Sequence, residues 1–98
     1  MKLFGIITAL FLLSISAFAQ GKISGKVTYG EGTALHDASV QIVQTRESTR
    51  TDENGSYEFA DVPPGRHTIL VHLEGFADAT RIATVGPAVT VALDFQLQ

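Results

Sequence analysis

Hydrophobic and polar residues alternate with a period of two along most of the chain after Gly21, and no segment there has apolar residues at helical spacing. Successive side chains of a β-strand point to opposite faces, so the alternation predicts strands with one buried face. Turn residues separate these segments at intervals of about eight to twelve residues, as in sandwich folds. The predicted strands are 23–29, 38–44, 49–51, 57–59, 66–73, 79–85 and 89–98.

The inward-facing positions predict where the core lies and which strand is at a sheet edge. Segment 49–51 is polar but β-branched, which predicts an exposed edge strand. Together the strands predict an all-β fold, a seven-stranded antiparallel β-sandwich over residues 20–98. Tyr29 shares a strand face with Ile23 and Val27 but lies at a strand end near a loop, where its ring can stay exposed. The residues expected to face inward on four of the strands are Ile23, Val27, Ala38, Val40, Ile42, His67, Ile69, Val71, Leu73, Val89, Val91, Leu93, Phe95 and Leu97.

Segment 51–65 contains two chain reversals around one short strand. Asp52 and Asn54 can bond nearby backbone amides and Gly55 accepts positive φ, so these three residues predict a tight turn. The strand that follows places two aromatic residues on one face. It is expected to end at the second reversal, because proline has no amide hydrogen for a sheet ladder. That reversal consists of Pro63, Pro64 and Gly65.

The first nineteen residues have the pattern of a signal peptide. Lys2 gives a positive start, residues 3–15 are apolar, and small residues at positions 17 and 19 predict cleavage between Ala19 and Gln20. The apolar segment is shorter than the roughly 20 residues that span a bilayer. The chain has no cysteine, which excludes lipid attachment through one. We therefore expect export to the periplasm, to the outer membrane or to the medium.

The charged residues are scattered rather than clustered. After residue 19 the chain has six Lys and Arg against ten Asp and Glu. A nucleic-acid partner requires a basic surface that neutralises phosphates, and this composition does not supply one. We expect no nucleic-acid binding and no membrane-spanning segment in the mature chain.

Three segments resemble the carboxypeptidase regulatory-like domain family. Residues 25–28 with 38–42 are similar to its opening hairpin, residues 51–59 with 62–65 to its most specific signature, and residues 69–71 with 75–76 to the strand and turn that follow. The resemblance implies a small transthyretin-like, carbohydrate-binding-like sandwich without catalytic activity. In bacteria such a domain is often found at the N-terminus of TonB-dependent receptors, directly after a signal peptide.

No candidate chemistry in the sequence predicts an enzyme, a metal site or a cofactor. His67 and His72 are expected on opposite faces of one strand, and His36 lies in a loop, so the three cannot converge on a metal. Asp52, Asn54 and Gly55 resemble the start of a calcium loop, but Pro63 stands where its closing glutamate would be. The serines lack a nucleophile elbow. A domain of this size also has little room to enclose a pocket.

These observations predict a non-catalytic spacer or protein-interaction module of the bacterial cell envelope. The partner could pair with an unpaired strand edge, at 49–51 or at 90–97, by strand addition. One alternative is the N-terminal domain or a fragment of a TonB-dependent outer-membrane receptor. A second alternative is carbohydrate binding, for which Tyr29 is the candidate ligand contact, because the other aromatic residues after residue 19 are expected in the core.

Overall fold

The computed structural model describes residues 20–98, which form nine β-strands. The predicted signal peptide and Ala19 lie outside the described residues, whereas Gln20 is an exposed residue directly before the first strand. No helix in residues 20–98 is long and apolar enough to cross a membrane. The strands are β1 (Gly21–Tyr29), β2 (Thr33–Ala34), β3 (Ser39–Ile42), β4 (Glu47–Arg50), β5 (Ser56–Val62), β6 (Gly65–His72), β7 (Ala79–Val85), β8 (Thr90–Ala92) and β9 (Phe95–Leu97).

Two sheets form the sandwich, as the alternation predicts. The first is antiparallel throughout, in the order β4-β3-β6-β7, and its edge strand β4 is the predicted polar edge. In the second sheet β1 is central and pairs antiparallel with β5 and β2. The all-β sandwich class is therefore confirmed.

The C-terminal strand differs from the prediction in direction and continuity. It is divided into β8 and β9, and both pair parallel to β1. The division falls at Leu93 and Asp94, where the Leu93 amide donates to the Ser24 carbonyl and the Asp94 side chain accepts from the Lys26 amide. Alternation along a strand encodes its buried face but not the direction of its neighbour, so the sequence pattern could not indicate a parallel pair.

The core lies between the two sheets and contains most of the residues that were expected there. Val89 is a correction: it is 45% exposed, because it lies in the turn before β8. Tyr29, which ends β1, is 40% exposed, in agreement with its expected position at a strand end near a loop. Leu73 and Val91 pack against the core but are only partly buried. The buried hydrophobic residues are Ile23, Val27, Leu35, Ala38, Val40, Ile42, Tyr57, Phe59, Val62, Ile69, Val71, Ala83, Val85, Leu93, Phe95 and Leu97.

Gly25 allows the Tyr57 hydroxyl and the Leu93 carbonyl to form a hydrogen bond in the interior. It pairs with Tyr57 on the neighbouring strand, and a Cβ at position 25 would lie 1.9 Å from the Leu93 carbonyl oxygen. The Tyr57 hydroxyl donates a hydrogen bond to that same carbonyl. The absence of a side chain at position 25 thus lets the C-terminal strand approach β1 closely.

Thr51 links the two connections that run between the sheets, β2 to β3 and β4 to β5, through hydrogen bonds in the interior. Its side chain is buried, and Oγ1 accepts a hydrogen bond from the Ala38 amide (2.8 Å) and donates one to the Leu35 carbonyl (2.6 Å). Its backbone exchanges two further bonds with Asp37 and Ala38. The connection between β2 and β3 is therefore held to the start of the turn that precedes β5.

Candidate functional site

An open groove of about 640 Å³ crosses the outer face of β1 and β5. The sequence predicted little room to enclose a pocket, and this groove is open rather than enclosed. Its lining contains two cationic and three carboxylate side chains, together with small hydroxyl residues. The lining residues are Ser24, Gly25, Lys26, Arg50, Asp52, Ser56, Tyr57, Glu58 and Asp94. We call this surface the charged groove.

The charged groove arises from strand register. Lys26 pairs with Ser56 and Ser24 pairs with Glu58, so these side chains share the outward face of the two strands. Glu58 is 3.8 Å from the Lys22 ammonium, and both side chains are more than half exposed. Pairing of β1 with β5 cannot be deduced from either strand alone, which is why Lys26, Glu58 and Asp94 were not among the residues that the sequence singled out.

The first predicted turn forms one wall of the groove. Asp52 Oδ1 accepts hydrogen bonds from the amides of Asn54 and Ser56, each at 2.9 Å. Gly55 has a φ of 76°, and a Cβ there would lie 2.7 Å from the Val27 carbonyl oxygen, so the position requires glycine twice over. The Asn54 side chain makes no comparable bond to residues 20–98. Asp52 Oδ1 thus stabilises the turn through its two backbone hydrogen bonds.

Asp52→Asn is expected to lower stability at neutral pH and to have little effect in acid. The Ser56 and Asn54 amides that donate to the carboxylate hold the pKa of Asp52 below its usual range. A carboxyl group with a lowered folded-state pKa stabilises the fold above its unfolded pKa, and the contribution is lost as the pH falls through the folded-state value. Urea titrations of both proteins at pH 7 and about pH 2.5 measure the difference.

Asp61→Asn is the matched control for this prediction, since Asp61 is an exposed carboxylate near the end of β5 and its positive φ also suits asparagine. A destabilisation by Asp52→Asn that is equal at both pH values would contradict the role of the charge.

Asp94 and the buried Tyr57 of the groove also form hydrogen bonds that stabilise the backbone. Asp94 Oδ1 accepts from the Lys26 amide at 2.9 Å, and the Arg81 guanidinium donates to the Asp94 carbonyl at 2.7 Å. Burial, with a smaller effect of the Asp94 charge, raises the pKa of the Tyr57 hydroxyl far above its usual range. Tyr57 therefore stays a neutral hydrogen-bond donor and not a base or a nucleophile.

The second predicted reversal lies where β5 gives way to β6. Val62 ends one strand, Gly65 begins the next with a φ of 134°, and Pro63 and Pro64 stand between them. His67 Nε2 lies 2.7 Å from the Pro63 carbonyl oxygen, which fixes that nitrogen as the donor.

The histidines do not come together in the structure. His67 is buried as predicted, and its Nδ1 has no hydrogen-bond partner in residues 20–98. His72 is exposed and pairs with Asp78 at 2.6 Å, and His36 is exposed in a turn. Within the described chain, no group of three or more His, Cys, Asp or Glu side chains could hold a metal ion.

Tyr29, the predicted ligand contact, lies outside the charged groove. Its ring packs against that of Phe76, with centroids 5.3 Å apart and planes tilted by 58°. Phe76 is half-buried and packs against the core, in agreement with the expectation that the aromatic residues other than Tyr29 face inward. We call this pair the aromatic corner. The sequence could not reveal the pairing, because the two residues are far apart along the chain.

Two outer edges of the first sheet carry a charge where a core residue would be expected. Glu47 on the edge strand β4 pairs with Ile42, and Arg81 on the edge strand β7 pairs with Ile69. Ile42 and Ile69 are fully buried, so both charged residues lie on the inward side of their strands. Inward-pointing charges on edge strands discourage pairing with another chain.

The edges of the second sheet are irregular. The register of β5 against β1 shifts between Phe59 and Val62, and Asp61 within that bulge has a φ of 57°. The other edge is divided at Leu93 and Asp94. Bulges and interruptions also oppose strand addition. Strand addition at 49–51 or 90–97 stays a prediction, but these features weigh against it.

This architecture defines the class of small β-sandwich domains. The polar side chains described above mainly stabilise turns and contacts between neighbouring strands. The chain belongs to the carboxypeptidase regulatory-like domain family, whose family model matches residues 22–98. The family resemblance seen in the sequence is thereby confirmed. No curated protein sequence matches the chain.

Solved structures with a similar fold include three sandwich-containing proteins. A chain of a type II cohesin–X-dockerin complex from Acetivibrio cellulolyticus is 22% identical with a TM-score of 0.65, over 79% of this chain and 56% of that one. The Bacillus anthracis TIE protein is 14% identical with a TM-score of 0.68, over 81% and 16%. A putative carbohydrate-binding protein from Pseudomonas aeruginosa is 16% identical with a TM-score of 0.55, over 85% and 93%. These identities support the shared fold alone.

Proposed function

We propose that this protein is an exported, non-catalytic interaction module of the bacterial cell envelope, which binds a protein partner through its charged groove. The observation that carries the proposal is the groove itself, an open depression of about 640 Å³ with side chains of both signs on one outer sheet face. Asp52, Asp94 and Tyr57 form hydrogen bonds with backbone groups, and Glu58 lies beside the Lys22 ammonium, so these side chains are poorly suited to acid–base chemistry.

Mixed charge favours a protein partner over a polyanion. Lys26 and Arg50 stand among three carboxylates, and a phosphate backbone would be repelled by the latter. Protein interfaces use complementary charges at such positions to select a partner. Binding through side chains of the groove also fits the charges and irregularities that obstruct strand addition at the sheet edges.

Export is the part of the proposal that rests on the leader sequence. Cleavage between Ala19 and Gln20 would release a chain that begins one residue before β1. Such a chain would reach the periplasm, the outer membrane or the medium.

The test compares variants of the mature chain, purified from the periplasm and immobilised to capture proteins from an envelope extract. Mass spectrometry of the bait also reports whether it begins at Gln20. Lys26→Thr removes one charge from the groove at an exposed strand position and should lower the captured partner several-fold, in the range of one interfacial charge pair. Arg66→Thr is the matched control, because Arg66 is an exposed strand cation that neither lines the groove nor pairs with one of its carboxylates.

Equal capture by Lys26→Thr and by the unchanged chain would overturn binding at the groove. Ser48→Pro tests the competing route, since the Ser48 amide points away from β3 towards the open edge of β4, where an added strand would pair. Loss of the partner with folded Ser48→Pro, but not with Lys26→Thr, would indicate strand addition instead.

A further inference from the structure

The aromatic corner has the geometry of a small, supported stacking surface. Tyr29 is 40% exposed, whereas its neighbour Phe76 is half-buried and packs against the core. The tilt of 58° between the rings at a centroid separation of 5.3 Å lets one ring support the other without covering it. An exposed ring is thus held against an anchored one.

The two loops that flank the corner contain glycines whose side-chain positions face open space. Gly30 and Gly32 follow Tyr29, and Gly75 precedes Phe76; a Cβ at any of the three would meet no atom within 4 Å. All three have positive φ, between 60° and 106°, so larger residues are disfavoured there. The backbone of these loops therefore adds no side chain that would cover the corner at those positions.

The charge around the corner is acidic. Glu31 lies two residues after Tyr29, Glu74 lies two residues before Phe76, and both are exposed. Residues 30–34 and 73–78 contain no Lys or Arg. An anionic ligand would be repelled here, whereas hydroxyl, amide and ammonium groups could donate to the carboxylates.

From these observations we propose that the aromatic corner binds a glycan of neutral or amino sugars, with the C–H face of a sugar ring stacked on Tyr29. An aromatic face carries partial negative charge and attracts the polarised C–H groups of a sugar. A single exposed ring with two short loops is also far smaller than the roughly 800 Å² that a partner contributes to a stable protein interface. This site is separate from the charged groove and does not depend on the function proposed for it.

The experiment measures binding of the chain from Gln20 to three oligosaccharides by calorimetry. We expect weak binding of an N-acetylglucosamine oligomer and a glucosamine oligomer, and none of a polygalacturonate oligomer. Tyr29→Ala should lower the affinity about tenfold, as loss of one aromatic contact predicts. Tyr29→Phe should retain most of it, because the ring remains.

Ile82→Ala is the matched control: Ile82 is 54% exposed, more than Tyr29, and lies on β7 among residues that line a different, smaller groove. It should leave sugar binding unchanged. Thermal unfolding establishes that each variant is folded. No binding of any oligomer, equal affinity of Tyr29→Ala, or preference for polygalacturonate would each overturn this inference. Capture of a protein partner by folded Tyr29→Ala would be unaffected, so failure here is distinguishable from failure of the groove.

Discussion

Gly25→Ala is expected to lower the free energy of unfolding by about 3 kcal/mol, at the upper end of the usual cost of overpacking. The added methyl group would lie 1.9 Å from the Leu93 carbonyl oxygen and 2.6 Å from its carbon. These are backbone atoms, so no rotamer change relieves the contact; the C-terminal strand must move away from β1. The Tyr57 hydrogen bond to that carbonyl would then also be disturbed.

Urea unfolding followed by circular dichroism measures this change, with Gly86→Ala as the matched control. A Cβ at Gly86 would meet only the Val89 side chain, at 3.4 Å, and the position has no positive φ. Gly86→Ala should therefore change stability by less than about 0.5 kcal/mol. Equal midpoints for the two variants would contradict the close approach at Gly25.

Thr51→Val is expected to cost about 2–4 kcal/mol although it preserves shape and β-propensity. Valine cannot accept from the Ala38 amide or donate to the Leu35 carbonyl, so two buried backbone groups lose their partners. Each unsatisfied group costs about 1–3 kcal/mol. Urea titration measures the stability, and hydrogen exchange should show faster exchange of the Ala38 amide.

Two further variants separate the hydroxyl from the methyl group. Thr51→Ser keeps both hydrogen bonds and should lose only about 1 kcal/mol for the buried methyl group. Thr49→Val, two residues away on β4, should be close to neutral because Thr49 is half-buried and makes neither bond. A loss for Thr51→Ser as large as for Thr51→Val would show that packing, rather than hydrogen bonding, dominates at this position.

The sequence was informative where the structure depends on local alternation. Ala38, Val40 and Ile42 are fully buried as their spacing predicts, and the polar segment around Thr49 forms an edge strand. Both follow from the two-residue period of a strand and from the side-chain chemistry of its positions.

Features that depend on contacts between distant segments were not accessible in this way. The sequence predicts Thr51 as a polar residue of an exposed edge strand. In the structure its side chain is buried and donates a hydrogen bond to the Leu35 carbonyl. Lys26 and Glu58 come together only through the register of β1 with β5. From the sequence alone Gly25 is only an unfavourable residue in a strand, and its role becomes evident from the close approach of Leu93. The aromatic corner likewise requires Tyr29 and Phe76 to meet across the sandwich end.

The parallel pairing of β8 and β9 with β1 has a consequence for how the molecule is made. The first strand, β1, pairs with the last two strands: residues 22–24 pair with residues 90–92, and residues 27–29 pair with residues 95–97. Contacts so distant along the chain are slow to form. A growing polypeptide that has not yet reached residue 90 lacks those neighbours, so the pairing of β1 is completed only after residues 90–97 have been synthesised.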